Sequence, residues 1–449
     1  MFSNQTVEVS LGVPIRSMDA VQGDKTESRF LVGSSSISDS NHLQLLRFHS
    51  DLNQWMVEAI LDHPTQSSGS GAGAGGIEKI ATHPTDRTMV FTMTERQPQQ
   101  SSQVTLWKIP TEIMEKNSSS LGYLGEDDVD DLPPAESASL QELCVLQSTD
   151  GAAAGSGGMV DVQWKRTSHL SADGDDYDVS SSSSSLKEVM TLDRKGGLTK
   201  WDVGVGTATS HAQLKVDITG SAWNLPPRMS WDPHHGDCAA IAIGTQVQCI
   251  DWRLSSSVPS SSSTSGSERF PCHRYGVTDL DYNPNKPHVL VTSGQEGLMK
   301  FWDLRSSRQP LLTVSGGHSH WVTKVSYNPF HDQLVMSAGT DSIVNLWRIS
   351  SISSAPLLTL DDEEDHMLGE EIHMGGGGNG GGGGGVAAGT NNNNKSSSPN
   401  VRVSRFEHMD SVYATAWGAA DAWIYASAGY DGKVVLSHVP SKEKYKILL

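Results

Sequence analysis

The chain has 449 residues and a formal net charge of −19, from 52 acidic and 33 basic side chains. Three short runs, 126–131, 173–178 and 361–371, hold 16 of the carboxylates and no Lys or Arg. The remainder is close to neutral, which disfavours a nucleic-acid binder because such a protein needs a basic face against phosphate. The missing basic localisation run also counts against a histone reader.

The apolar patterning indicates a soluble protein. No apolar run reaches 18 residues, so we expect no transmembrane helix, and the first ten residues lack the basic and apolar regions of a secretory signal. The four cysteines are widely spaced without a C-x-x-C pair, which excludes a disulfide scaffold and a thiolate zinc site of ordinary spacing. We therefore expect a cytoplasmic protein with reduced thiols.

Four weaker copies of a repeating unit occupy the first part of the chain. Each combines short apolar runs that alternate with polar residues, which is the pattern of β-strands, with turn residues between the runs. The predicted units cover 7–61, 77–109, 158–203 and 218–254.

Three stronger copies follow at 273–313, 318–358 and 403–449. His318 lies 45 residues after His273, and the same offset relates Trp302 to Trp347. His408 lies 90 residues after His318, which equals one repeat plus an insertion of 45. Four strands per unit at this period are typical of a β-propeller, so we expect one all-β domain with seven blades.

Low-complexity segments interrupt the units. They are rich in Gly, Ser, Asn or acidic residues, and such compositions bury too little apolar surface to offset the entropy of ordering. We expect flexible spacers, with a docking role for the acidic runs as the alternative. The predicted disordered insertions lie near 66–76, 117–139, 168–186, 255–267 and 361–400.

The dipeptides Trp201-Asp202, Trp302-Asp303 and Gly317-His318 resemble the diagnostic pairs of the WD40 family. That family links a His, a Ser, an Asp and a Trp by buried hydrogen bonds within a blade. In the last unit Ser437 stands where the Trp would be, and in the fifth unit Glu296 replaces the Asp. The resemblance assigns this structural chain to His318, Ser337, Asp341 and Trp347, and to His408, Ser427 and Asp431.

The two ends of the chain must seal the ring, because an unsealed ring leaves an open strand edge. We predict that Tyr445–Leu449 is the outer strand of the seventh blade and that Val7–Ile15 opens the first. The alternative is that the N-terminal run lends a strand to the last blade, as in many WD40 rings.

The same residue types also occur in hydrolase triads. The trio recurs in the last unit, as a structural repeat requires, and no G-x-S-x-G elbow is present. The chain has no P-loop and no H-E-x-x-H motif, and the adjacent His234 and His235 would point to opposite faces of a strand. We therefore expect no enzyme, no cofactor and no metal site.

The run Trp302-Asp303-Leu304-Arg305 permits an alternative function. It resembles the W-D-x-R box by which some WD40 proteins dock to the adaptor of cullin-RING ubiquitin ligases. Asp303 and Arg305 would then belong to a docking site, and the protein would be a substrate receptor. The simpler interpretation is a strand end with an exposed Arg.

Longer segments resemble one family of WD40 adaptors, the EARP- and GARP-complex-interacting proteins, also named for a tumour-suppressing subtransferable candidate. The similar segments are RFLVG at 29–33, WDPHH at 231–235, LDYNPNKP at 280–287, HSHWV at 318–322 and the tail from 408 to 449.

The resemblance implies a non-catalytic adaptor. Its partners would be the endosome-associated recycling protein (EARP) and Golgi-associated retrograde protein (GARP) complexes, which tether vesicles at recycling endosomes and the trans-Golgi network. The adaptor would support recruitment of these tethers in endosomal recycling and retrograde traffic. We expect a monomer within such a complex, peripheral at these membranes, with no membrane insertion and no nucleic-acid partner.

Overall fold

The computed structural model describes residues 6–36, 40–50, 52–63, 75–94, 102–115, 135–146, 158–166, 187–204, 206–218, 225–255, 269–355, 374–375 and 400–448. Most of the predicted insertions lie outside these ranges. Short parts of them are described, and among these 136–139 and 374–375 form strands.

The described residues form 30 strands and three short helices. The first ten strands are β1 (Thr6–Ser10), β2 (Ile15–Ala20), β3 (Ser28–Ser34), β4 (His42–His49), β5 (Gln54–Asp62), β6 (Ile77–Thr82), β7 (Met89–Thr94), β8 (Gln103–Lys108), β9 (Glu136–Ser139) and β10 (Gln141–Leu146). The next eight are β11 (Met159–Trp164), β12 (Glu188–Asp193), β13 (Gly197–Gly204), β14 (Thr207–Lys215), β15 (Arg228–Trp231), β16 (Cys238–Ile243), β17 (Gln246–Asp251) and β18 (Arg269–Pro271).

The remaining strands begin with β19 (Val277–Tyr282), β20 (Val289–Gly294), β21 (Met299–Asp303), β22 (Leu312–Val314), β23 (Val322–Tyr327), β24 (Leu334–Gly339) and β25 (Ile343–Ile349). They end with β26 (Met374–Gly375), β27 (Asn400–Glu407), β28 (Val412–Trp417), β29 (Ile424–Gly429) and β30 (Lys433–His438). The helices are α1 (Thr111–Met114), α2 (Trp252–Ser255) and α3 (Ser441–Leu448).

These strands form seven sheets, which are the blades of the ring. Blade one contains β2 to β5 with β9 added in parallel, and blade two contains β6, β7, β8 and β10. Blade three contains β11 to β14, blade four β15 to β18, and blade five β19 to β22 with β26 added. Blade six contains β23, β24, β25 and β27, and blade seven contains β28, β29, β30 and β1. The predicted all-β, seven-bladed propeller is confirmed.

The hydrophobic core lies between the blades. In blades five, six and seven the second strand is buried at every residue, because both faces of the sheet pack against neighbouring blades. One cluster, for example, combines Val291 and Phe301 of blade five with Val325 and Trp347 of blade six. Each blade interface is therefore also part of the core.

Hydrogen bonds from side chains of the inner strands connect adjacent blades. The inner strand is the innermost strand of each blade. The Asp279 carboxylate accepts a hydrogen bond from the Val325 amide at 3.2 Å, and Asp281 accepts one from the Tyr327 amide at 3.0 Å. The Thr323 hydroxyl donates to the Val412 carbonyl at 2.5 Å in the same way. These contacts hold neighbouring inner strands side by side and pointing in the same direction.

The ring is closed by the N-terminal strand, so the preferred prediction for the chain ends is wrong and the alternative is correct. β1 pairs antiparallel with β30, from Thr6 opposite Ser437 to Ser10 opposite Lys433. Val7 and Val9 pack into the core between blades one and seven, and blade one begins at β2.

The predicted strand at 445–449 falls mostly within α3. Straight-chain residues such as Lys and Glu suit a helix after Pro440, because they lose little rotamer freedom there. A buried ion pair holds the helix in place, since Arg348 Nη1 of blade six lies 2.8 Å from Glu443 Oε2. Ile447 also packs against the core between blades six and seven.

The outer strands extend beyond several of the predicted units. β10, β18 and β27 complete blades two, four and six, and each follows a low-complexity segment of the sequence. The outermost position tolerates this because only one of its edges is paired. A pattern search that ends a unit at its third strand therefore misses the fourth.

Candidate functional site

Blade six contains the predicted hydrogen-bond chain. The Trp347 indole N–H donates to Ser337 Oγ at 2.9 Å, and His318 Nε2 lies 2.8 Å from the same oxygen. His318 Nδ1 faces Asp341 Oδ1 at 3.1 Å, and the Ser319 amide donates to Asp341 Oδ2 at 2.8 Å. Trp347 and Ser337 are fully buried, and the chain fixes the loop at 318–321 on the sheet.

Blade seven brings together the predicted residues but lacks the indole. His408 Nε2 lies 2.9 Å from Ser427 Oγ, and His408 Nδ1 lies 3.2 Å from Asp431 Oδ2. Ser437 occupies β30 where blade six has its Trp. Burial lowers the pKa of His408, although Asp431 opposes this shift.

Two further chains have a Thr in place of the Ser, and of their residues the sequence indicated only His273, Glu296 and Trp302 of the fifth unit. In blade two the Trp107 indole donates to Thr92 Oγ1 at 2.8 Å, and His63 Nε2 lies 2.8 Å from that oxygen. In blade five Thr292 Oγ1 lies 2.9 Å from both the Trp302 indole nitrogen and His273 Nε2, and His273 Nδ1 faces Glu296. The signal that could have found them is a Thr ten or fifteen residues before a strand-ending Trp.

The geometry in blade six is that of a structural chain. The Ser337 hydroxyl is fully buried and already receives the Trp347 N–H, so a substrate has no path to it. A nucleophilic serine must instead face a cleft beside an oxyanion hole. His318, Ser337 and Asp341 therefore position loops.

His63 gives the fold a pH dependence. Burial lowers its pKa from 6.5 to about 4, with the nearby His42 adding to the effect. The folded protein keeps the His63 ring neutral down to about pH 4, whereas the unfolded chain protonates it near pH 6.5. Protonation of His63 therefore does not oppose folding above pH 6.5. We expect stability to fall as the pH drops from 6.5 to 4, by up to about 1.4 kcal/mol per pH unit from this group.

Urea unfolding of the wild type and of His63→Gln at a series of pH values measures this contribution. The variant should lack the His63 component and show a shallower slope between pH 6.5 and 4. Equal slopes in the two proteins would contradict a neutral, buried His63.

The structure places Asp303 and Arg305 at the end of β21. The Arg305 guanidinium is exposed and donates to both carboxylate oxygens of Asp303, at 2.9 and 2.7 Å. Arg253 and Asp251 form the same pair at the end of β17 in blade four, at 3.0 and 2.7 Å. The Asp-x-Arg pair is thus a strand-end arrangement that occurs in two neighbouring blades, although Ile250 rather than a Trp precedes the Asp in blade four.

Seven equivalent positions of the inner strands form what we call the inner charge ring. Each lies three residues before the last residue of its strand. Lys79 Nζ lies 3.0 Å from Asp161 Oδ1, and Lys324 Nζ lies 3.4 Å from Asp279 Oδ2. Burial lowers the pKa of Lys324. The positions hold Ser17, Lys79, Asp161, Arg228, Asp279, Lys324 and Ala414, so cations and carboxylates alternate from blade two to blade six.

The two adjacent histidines of blade four do not belong to a metal site in the part of the chain that the structure describes. There, no three His, Cys, Asp or Glu side chains are placed to hold a metal ion. His235 faces Asp232 at 2.9 Å, and His234 contacts the Asn283 carbonyl at 3.0 Å. No helix within the same ranges has the length and apolar character to cross a membrane.

Comparisons with known proteins identify the family. The family model described as the EIPR1 beta-propeller matches residues 186–347. The EARP-interacting protein homolog of Danio rerio is 31% identical, and the match covers 97% of this chain and 96% of that protein. EARP and GARP complex-interacting protein 1 of Homo sapiens is 29% identical over 94% of this chain and 93% of its own length. WD repeat-containing protein DWA2 of Arabidopsis thaliana is 26% identical, with the same coverage. The resemblance found in the sequence is confirmed, and the chain belongs to the EARP- and GARP-complex-interacting protein family.

Proposed function

We propose that this protein is a non-catalytic adaptor that binds EARP- and GARP-type vesicle-tethering complexes. It supports their recruitment to recycling endosomes and the trans-Golgi network, where it acts as a peripheral, monomeric component of the assembly. The observation that carries this proposal is the match to relatives with these names over almost the whole chain.

The geometry supports a binding role. The buried His, Ser or Thr and Trp chains of blades two, five and six fix loops on a rigid ring. A rigid scaffold that presents loops is suited to contact with a large partner.

Affinity purification of the tagged full-length chain at physiological salt, followed by mass spectrometry, tests this function. We expect recovery of the tether subunits at near-stoichiometric levels from cells of the source organism. Arg305→Ala is the matched variant, because its guanidinium is exposed and contacts only Asp303 in the described residues. We expect the same subunits with this variant.

The alternative function, a substrate receptor of a cullin-RING ligase, predicts a different result. The wild type would then recover the cullin adaptor without tether subunits, and Arg305→Ala would lose it. That outcome would overturn the tethering proposal.

A further inference from the structure

Large apolar side chains are exposed at one face of the ring. We call this the upper face, and it is the end at which the inner strands begin. Among the described residues, eight large apolar side chains are exposed, and four of them lie at this end of blades five, six and seven. These four are Tyr275, Trp321, Met409 and Tyr430, with Met409 82% exposed.

The strand order places these residues on the same face. Tyr275, Trp321 and Met409 lie one to three residues before the inner strands β19, β23 and β28. Tyr430 lies in the turn between β29 and β30, and in an antiparallel sheet that turn returns to the end at which the inner strand starts. The His318–Asp341 contact joins the corresponding loop and turn of blade six.

Hydrogen bonds join these loops across the blade boundary. The Thr340 amide donates to the Trp321 carbonyl at 2.9 Å, and the Ser411 hydroxyl donates to the Thr340 carbonyl at 3.2 Å. The Tyr430 amide then donates to the Ser411 carbonyl at 2.9 Å. Trp321 and Tyr430 therefore sit on one preorganised surface, which lowers the entropy cost of binding.

Neighbouring aromatic side chains and an Arg pack against the exposed side chains. His320 stacks on Trp321 with ring centroids 5.5 Å apart, and Tyr413 contacts Tyr430 edge to face at 6.1 Å. The Arg274 guanidinium lies 5.2 Å from the centre of the Tyr275 ring. Aromatic and Arg side chains fixed in this way are the residue types that dominate binding energy at protein interfaces.

At the blade-five end of this surface the Glu296 carboxylate accepts the Arg274 backbone N–H at 3.3 Å and lies 3.8 Å from Lys300 Nζ, so the Lys300 charge offsets it. The inner charge ring holds three cations and two carboxylates. In the described part of the chain, no carboxylate lies within 4.0 Å of the side-chain nitrogens of Arg228 or Arg274. Asp410 is exposed at the opposite, blade-seven end.

We propose that this surface docks a segment of the tethering complex that combines large apolar side chains with carboxylates. The surface is formed by Arg274, Tyr275, His320, Trp321, Met409 and Tyr430. The apolar side chains pack on Trp321, Met409 and Tyr430. The carboxylates lie toward blade five, where Arg274 and Arg228 attract them. This inference rests on the proposed function and deepens it by naming the face.

The test is the equilibrium affinity of the purified, full-length chain for a reconstituted EARP-type tether of the same organism. We expect Trp321→Ala and Tyr430→Ala each to weaken binding at least about tenfold, as for central aromatic anchors. Arg274→Glu should weaken binding and reduce its sensitivity to salt, because it removes a screened attraction. Tyr445→Ala, which truncates a 66% exposed ring on α3, is the control and should stay within about twofold.

Each outcome bears on a different claim. Circular dichroism and the melting temperature confirm that each variant is folded, which exposed positions permit. Undiminished binding by Trp321→Ala and Tyr430→Ala would overturn the docking surface and leave the proposed function intact. A wild type that fails to bind the tether would overturn both. Loss of retention on anionic vesicles by these variants, with tether binding unchanged, would assign the face to a membrane and overturn the proposal.

Discussion

Glu58→Gln is expected to lower the free energy of unfolding by about 3–5 kcal/mol, as found when one partner of a buried ion pair is removed. Glu58 Oε2 lies 2.7 Å from Arg29 Nε, and Glu58 Oε1 lies 3.1 Å from Arg47 Nε. Both Arg side chains are at most 1% exposed. Glutamine would leave two buried cations without the carboxylate they share.

The cluster also joins two blades, which increases the expected effect. Arg29 Nη1 lies 2.6 Å from Asp24 Oδ2 in blade one and 3.4 Å from the Met114 carbonyl of α1, which follows the third strand of blade two. Loss of Glu58 should therefore weaken the packing within blade one and also the contact between blades one and two.

Urea unfolding followed by tryptophan fluorescence measures this change. Glu112→Gln is the matched control, since Glu112 is exposed in the first turn of α1, and it should change the stability by less than about 0.5 kcal/mol. A cost for Glu58→Gln as small as that of the control would show that the buried charges do not depend on this carboxylate.

Trp347→Ala is expected to cost about 3–5 kcal/mol, the range for removing a buried aromatic side chain. The Trp347 side chain is fully buried between blades five and six. A Cβ atom added at Gly317 would lie 2.4 Å from its ring, so the chain approaches the indole closely there. The truncation would leave a cavity and remove the indole N–H that donates to Ser337 Oγ.

Two serines separate the hydrogen-bond contribution from packing. Ser337→Ala removes the partner of both Trp347 and His318, whereas Ser427→Ala removes only the partner of His408. An unsatisfied buried polar group costs about 1–3 kcal/mol. Ser337→Ala should therefore lower the free energy of unfolding by about 1–3 kcal/mol more than Ser427→Ala. Equal losses in urea unfolding would mean that the indole hydrogen bond contributes nothing.

The repeats made the fold and the blade-six chain predictable. Equivalent residues lie at fixed offsets from those of the blade-six chain, because every blade packs its strands and loops in the same way. The residues of that chain are His318, Ser337, Asp341 and Trp347. The roles of Thr92 and Thr292 were not predicted, since the WD40 pattern has Ser at this position although either hydroxyl can accept the indole N–H.

The ring closure and the buried charges were not predictable in the same way. Val7 to Ser10 and the tail after Pro440 are both short runs, and alternation of apolar residues does not reveal which strand a run will pair with. Charged side chains are mostly exposed in folded proteins, and the burial of Arg29 and Glu58 depends on contacts between separate strands that the sequence pattern does not show. The aromatic loops became a candidate surface only when the strand order placed them on one face.

The pairing of β1 with β30 also sets the order of events during synthesis. Lys433 Nζ and Glu8 Oε2 meet at 2.8 Å across 425 residues of chain, so the ribosome makes the first partner long before the second. Until β30 emerges, β1 has no strand to pair with and Val7 and Val9 lack the blade-seven half of their packing, and contacts this distant in sequence form slowly. The nascent chain therefore carries the unpaired strand β1 through most of its translation, which is a state that chaperones are suited to protect.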